Sequence, residues 1–271
     1  MSYQRTPGVG TSGIDGARHR LARAPGVGAG LSDELAAAGA RRAPGVGAGD
    51  PDPFAEVPLT HRQQQRVEVM RGVAQEVSAR YGDNFVLKGG TALMLLYGSP
   101  RFSEDLDFDG RRQRTDPAAG VVKGAQRVRA VESLRAGKST PTSRKYYLTY
   151  EGGCSRPLKV EFSYRRAADI DEADVVRRDG IRVYGLTRLA SLKIDAFVHR
   201  TRARDVFDVG FLLSRHPEAV GEADVIRVRE HVDVRGIDNL LEEVEDDDAL
   251  AVYDATGIAL GLMSALADRP R

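Results

Sequence analysis

Phe85-Val86-Leu87-Lys88-Gly89-Gly90-Thr91-Ala92-Leu93-Met94-Leu95-Leu96-Tyr97-Gly98-Ser99-Pro100-Arg101-Phe102-Ser103-Glu104-Asp105-Leu106-Asp107-Phe108-Asp109 is the stretch that decides the fold. Phe85 to Leu87 reads as a short buried strand. Lys88-Gly89-Gly90-Thr91 breaks it, and Ala92 to Tyr97 has the composition of a helix that Gly98-Ser99-Pro100 stops. A second strand is expected over Phe102 to Phe108. Alternation along it puts Ser103, Asp105 and Asp107 on one side and Phe102, Leu106 and Phe108 on the other. Carboxylates that close repel one another unless a cation lies between them. Hard oxygen donors at this spacing suit Mg²⁺, which draws its remaining ligands from water and phosphate. Gly89 and Gly90, at the mouth of a helix, let backbone N–H groups approach a phosphate that the helix dipole favours. Taken apart, an Asp-x-Asp pair reads as a solvated strand face and Gly-Gly as a turn. Joined in this order by one short helix, they point to a nucleotidyltransferase site.

Composition sets outer bounds. The 271 residues, 41% hydrophobic and 29% charged, are ample for a core in one large or two modest domains. A net charge of +1 gives no whole-chain argument for nucleic acid. Charge is unevenly spread, however. Residues 111–145 carry ten Lys/Arg against Asp116 and Glu132, and 218–248 carry twelve Asp/Glu against Arg227, Arg229 and Arg235. The basic stretch reads either as a surface for a phosphate backbone or as a solvated helix. Cys154 is the only cysteine, which excludes an intrachain disulfide and a cysteine-based zinc cluster. No run of 18 apolar residues and no signal-peptide hydrophobic region is present. No membrane association and a reducing cytoplasm are expected.

Three segments are expected. Residues 1–57 repeat Pro-Gly-Val-Gly at 7–10, 25–28 and 44–47 and read as a flexible Gly/Pro-rich extension. Residues 58–185 form an α/β core. A helix to about Tyr81 has Val67, Met70, Val73 and Val77 on its apolar face, and another helix is expected over 117–136. Strands are expected at 145–150 and 158–164, joined by a hairpin loop. Leu158, Val160 and Phe162 then share one face, and Lys159, Glu161 and Ser163 the other. Glu161 thus reads either as a third carboxylate that orients an attacking hydroxyl or as part of an exposed Lys/Glu face. Residues 186–271 read as helical. In 186–200 the apolar stripe Leu189, Leu192, Ala196, Phe197 leaves Lys193 at its edge, facing a cleft. A following helix carries Arg204 and Asp208, by spacing alone a surface ion bridge worth ~0.3–0.5 kcal/mol.

Lys88-Gly89-Gly90-Thr91-Ala92-Leu93, followed by Arg101-Phe102-Ser103-Glu104-Asp105-Leu106-Asp107-Phe108, closely resembles the opening motif of the AbiEii/AbiGii-like nucleotidyltransferase toxins, which include the MenT toxins. Lys193 and Ala196, then Arg200, Arg204, Asp205 and Asp208, resemble the family's downstream motif. The resemblance spans roughly residues 60–215. It implies a DNA polymerase β-type nucleotidyltransferase core, a mixed sheet with flanking helices, completed by a mostly helical C-terminal part. It further implies that Asp105 and Asp107 hold Mg²⁺ on an incoming NTP. Lys88, Gly89, Gly90 and Thr91 would cradle its phosphates, with Ser103 and Arg204 nearby. Lys193 would neutralise the departing pyrophosphate, and Asp208 would hold Lys193 or Arg204 or act on the acceptor. The acceptor implied is RNA, in the first place a tRNA 3′ end, whose modification blocks translation. A cognate antitoxin, a protein or kinase-like, is the expected partner, and Ser103 resembles a serine phosphorylated in some members. Two other readings stand beside this one: transfer to a small molecule or protein, and a non-catalytic nucleotide- or RNA-binding module.

Overall fold

The structure, a computed structural model, describes residues 52–269. The expected extension lies outside the described residues as far as residue 51. Its last part does not: Phe54 is buried and meets Phe207 edge-on, with ring centroids 5.3 Å apart.

Helix α1 (His61–Arg80) begins at a capping box, in which the Thr60 hydroxyl accepts from the Gln63 amide and the Gln63 side chain accepts from the Thr60 N–H. Met70, Val73 and Val77 on its expected apolar face are fully buried and Val67 partly so. Strand β1 (Phe85–Lys88) runs directly into α2 (Gly89–Leu96), and β2 (Leu106–Gly110) returns antiparallel to β1, with Lys88 opposite Asp107. Phe85, Val86 and Leu87 have no polar alternation because both faces of β1 are covered. Then come α3 (Ala118–Gln126), β3 (Val131–Ala136), β4 (Ser143–Tyr150) and β5 (Leu158–Ser163). The hairpin β6 (Val175–Arg178) and β7 (Ile181–Tyr184) completes a seven-stranded mixed sheet in the order β3-β4-β5-β2-β1-β7-β6. Helices α4 (Leu186–Arg200), α5 (Ala203–Arg215), α6 (Glu222–Arg235), α7 (Ile237–Glu245) and α8 (Ala255–Ala267) follow.

Two local expectations change, and one hairpin has no counterpart among them. The helix expected over 117–136 ends at Gln126, and 131–136 is an edge strand paired with β4. Val131 and Leu134, which extend a helical pattern on paper, instead pack against the sheet from that strand. Strand β2 starts at Leu106, not Phe102, because the chain after Pro100 is tied to α2: the Thr91 hydroxyl donates to the Asp105 carbonyl and bonds the Ser103 hydroxyl at 2.8 Å. The β6–β7 hairpin turns at Asp179-Gly180, both with positive φ, between short strands that carry too little alternation to announce themselves.

Candidate active site

Parallel pairing of β2 with β5 sets Asp107 beside Glu161 and Leu106 beside Val160. Leu106, Phe108, Val160 and Phe162 are fully buried on one face, and the Phe108 and Phe162 rings stack at 5.0 Å. The acidic side chains must therefore stand on the other face, where Asp105, Asp107 and Glu161 line a cavity of about 620 Å³. That size is ordinary for a small-molecule site. The opposite wall comes from α4, α5 and the segment after β5. It presents Lys193, Arg200, Arg202, Arg204, Arg165 and Arg166, with Leu189, Leu192 and Ala196 forming an apolar shelf. The cavity is thus net acidic on its sheet side, where Lys88 and Lys159 answer part of the carboxylate charge, and basic on its helix side.

The acidic side is strained by its own charge. Asp107 has no hydrogen-bond or ion-pair partner among the described residues. Burial, with Asp105 and Glu161 beside it, pushes its carboxyl above the usual aspartate range, and Lys159 and Lys88 offset this only in part. For Glu161 burial works upward as well, but it is overcome by the Ser143 hydroxyl at 3.0 Å and the Lys145 ammonium at 3.3 Å, which hold its carboxyl below the usual range. Lys88 pairs with Asp109, which also accepts from the Tyr184 hydroxyl at 3.1 Å. An all-oxygen donor set with a partnerless, proton-prone carboxylate at its centre fits a hard divalent cation. Among the described residues no three His, Cys, Asp or Glu side chains stand as a ready-made metal cluster. Mg²⁺ asks for only one or two carboxylates and takes the rest from phosphate and water.

Lys88 ends β1 and the next residue opens α2, so the first residues of that helix, Gly89 and Gly90, line the cavity. Gly89 has φ +80°, a backbone that other residues adopt only with strain, and a side chain there would point at Asp107. At Gly90 a Cβ would lie 2.4 Å from a terminal nitrogen of Arg101 and 3.2 Å from the Ser103 hydroxyl. Arg101 cannot give way freely, since its guanidinium is buried and grips Asp208 with two bonds of 2.9 Å. Gly90→Ala is therefore expected to cost about 1–3 kcal/mol of stability and to lower activity by displacing Arg101. Thermal unfolding and initial rates check both.

Asp208 lies wholly inside, beneath the cavity wall. It binds Arg101 on one side and the Lys193 ammonium on the other. Burial alone would raise its carboxyl; the two cations overcome this and hold it below the usual range. Asp208 contacts Lys193 and not Arg204; Arg204 lines the cavity and Asp208 does not. Thr91 is also not brought to the cavity; its hydroxyl is turned inward to Asp105 and Ser103. Lys88, Gly89, Gly90, Ser103, Asp105, Asp107, Glu161, Lys193 and Arg204 all line it. Arg101, Lys159 and Arg202 join them without having been assigned a role from sequence. The sharp turn at Thr201, with φ +35°, aims the last: its hydroxyl bonds the Phe197 carbonyl at 2.8 Å, and the chain re-enters helix two residues later. No residue of the basic stretch 111–145 lines the cavity. Lys123 and Arg127 of that stretch pair instead with Glu76, and Arg129 with Glu68.

The chain is similar to several known proteins. A Helicobacter pylori protein, JHP933, superposes with a TM-score of 0.67 at 27% identity, covering 78% of this chain and 92% of that one. An uncharacterized protein of Aquifex aeolicus, aq_aa25, is 26% identical over 149 residues, 55% of this chain and 67% of the relative. MenT4, a nucleotidyltransferase toxin (Rv2826c) from Mycobacterium tuberculosis H37Rv, aligns at 18% identity with a TM-score of 0.46, covering 78% and 87% of the two chains. The model of the family described as "Nucleotidyl transferase AbiEii toxin, Type IV TA system" matches residues 73–270, which take in every cavity-lining residue. The chain belongs to the AbiEii nucleotidyl transferase toxin family of type IV toxin–antitoxin systems.

Proposed function

We propose that the protein transfers a nucleoside monophosphate from an NTP to a hydroxyl of RNA, foremost the 3′ end of tRNA, and so blocks translation in the cytoplasm. The observation that carries this reading is the division of one cavity into a carboxylate side and a guanidinium side. A triphosphate has its reacting phosphorus next to the metal-binding groups and its leaving phosphates against cations. Asp105 and Asp107 would hold Mg²⁺; when bound, the ion polarises the α-phosphate and screens its charge. The α2 amides at Gly89 and Gly90 donate to phosphate oxygens, and Lys88, fixed by Asp109, adds a positive charge beside them. Lys193, fixed by Asp208, faces the leaving pyrophosphate. Glu161 is held ionised by Ser143 and Lys145 and accepts the hydrogen bond of the attacking hydroxyl. A bond forms between that oxygen and the α-phosphorus as the bond from phosphorus to the pyrophosphate oxygen breaks, and the hydroxyl proton passes to Glu161. Arg165, Arg166, Arg202 and Arg204 exceed what one triphosphate needs and suit the backbone of a polyanionic acceptor.

Family membership brings a cognate antitoxin with it. A kinase-like antitoxin would find Ser103 at the cavity, two residues from Asp105, where a phosphate adds about −1.5 to −2 charges and opposes both metal and nucleotide. Mass spectrometry of protein made with and without its cognate antitoxin checks this; an unmodified Ser103 in the silenced protein removes the idea.

Incubating the purified chain with each of four α-labelled NTPs, Mg²⁺ and total RNA tests the main reading. Label is expected in RNA of tRNA size, and in Lys193→Ala the rate is expected to fall about a hundredfold or more. Label confined to protein or to small molecules would overturn the acceptor assignment. Full activity in Lys193→Ala would remove that side chain from the site.

A further inference from the structure

The β2–β5 register has a second consequence. One step before the Leu106–Val160 pair, Lys159 lies alongside Asp105, and its ammonium is 2.7 Å from Asp105 Oδ2 and 3.7 Å from Glu161 Oε2. Asp105 and Glu161 thus flank a cation that the chain itself supplies. Lys159 extends from a strand on a flexible four-carbon stem, and its side chain remains 29% exposed. Glu161 has a further cation in Lys145 and a hydroxyl in Ser143, whereas Asp105 has no other side-chain partner among the described residues.

We propose that Lys159 is a tethered stand-in for the divalent cation. It neutralises Asp105 and Glu161 while the cavity lacks nucleotide, and it yields that place only when Mg²⁺ enters together with a triphosphate. The inference rests on the divalent-cation reading of Asp105 and Asp107 and adds an order of loading. A free divalent ion must displace the ammonium from a close contact and leave it with no new anion. An ion that arrives with a triphosphate brings phosphate oxygens for the ammonium to turn to. Lys159 therefore couples metal binding to nucleotide binding, and the nucleotide-free protein holds metal weakly. Its role is positioning: it acts through the carboxylates.

Titration of the full-length protein with Mn²⁺, read by electron paramagnetic resonance with and without a non-hydrolysable α,β-methylene NTP, tests this. The analogue is expected to tighten Mn²⁺ binding to the wild type by about tenfold or more. Lys159→Met is expected to bind Mn²⁺ about tenfold more tightly than wild type without nucleotide and to lose most of the coupling. Lys159→Arg is expected to behave as wild type. Lys159→Met that is folded by circular dichroism yet binds Mn²⁺ no more tightly overturns the proposal and leaves an ordinary ion pair. Should that variant fail to fold, equal Mn²⁺ affinity of the wild type with and without the analogue overturns it alone. Label transfer to RNA by the wild type, measured alongside, separates failure of this inference from failure of the proposed function. An active enzyme without coupling refutes only the role of Lys159.

Discussion

Replacing Asp107 by asparagine is expected to lower nucleotidyl transfer by about a thousandfold or more, some 4 kcal/mol of transition-state stabilisation, while leaving the fold intact. The carboxylate sits at the centre of the acidic wall, between Asp105 and Glu161 in the register, and has no partner of its own among the described residues. Its loss removes the proposed cation ligand without orphaning another charge. The stability effect follows from the direction of its pKa. Burial and the neighbouring carboxylates raise it, so the folded protein holds that proton more tightly than the unfolded chain does. The ionised form then costs stability at neutral pH, and the cost is relieved as pH falls through the folded value. Asp107→Asn should therefore melt no lower than wild type in the absence of metal, and somewhat higher at neutral pH. The same raised pKa puts protons in competition with the cation. The acid limb of the wild-type rate profile is expected above the ordinary carboxylate range and should move to lower pH as Mg²⁺ concentration rises. Rate profiles at two Mg²⁺ concentrations check this.

Asp208→Asn is expected to act in the opposite way, through stability first. Asp208 is wholly buried between Arg101 and Lys193, both themselves buried. Removing its charge leaves two cations facing each other in the interior, which costs about 3–5 kcal/mol. That is a large share of a typical domain's total. Chemical denaturation should show a lowered midpoint. Any protein that remains folded should transfer nucleotide slowly, because Lys193 loses its anchor and Arg101 no longer packs over Gly90. The folded pKa of Asp208 is depressed, so its contribution is fully present above the ordinary aspartate value of about 3.9 and is lost as pH falls through the lower folded value. The difference in stability between wild type and Asp208→Asn should accordingly persist at neutral pH and shrink only in strong acid. A variant as stable as wild type would mean that the buried triad does not hold α4 and α5 to the segment that precedes β2.

Much of this site was legible in the chain because it is built from local patterns. The break at Lys88-Gly89-Gly90, the short apolar helix and the alternation through Asp105, Leu106, Asp107 and Phe108 are each set by residues a few positions apart. So is the choice of face for Glu161, since Leu158, Val160 and Phe162 leave it nowhere else to go. What escaped is long-range. Arg101 meets Asp208 across 107 positions, and no spacing rule relates them. By spacing alone Arg204 and Asp208 look like a surface pair, yet the helix rotates Asp208 into the core and Arg204 into the cavity. Lys159 was visible on the same face as Glu161, but only the parallel pairing of β5 with β2 reveals that it faces Asp105. The basic run 111–145 shows the complementary limit. A count of charges along a chain does not say which are already answered, and Glu68 and Glu76 on α1 answer several of them.

The central claim is that Asp105 and Asp107 jointly grip a divalent ion beside a glycine-lined phosphate site. Transfer of α-label from NTP to RNA by wild type and by the Asp105→Asn/Asp107→Asn double variant, each with Mg²⁺ and with excess EDTA, addresses it most directly. Label should appear only with wild type and Mg²⁺, while the double variant stays folded and silent. Transfer that survives EDTA, or a double variant that labels RNA at the wild-type rate, would refute it.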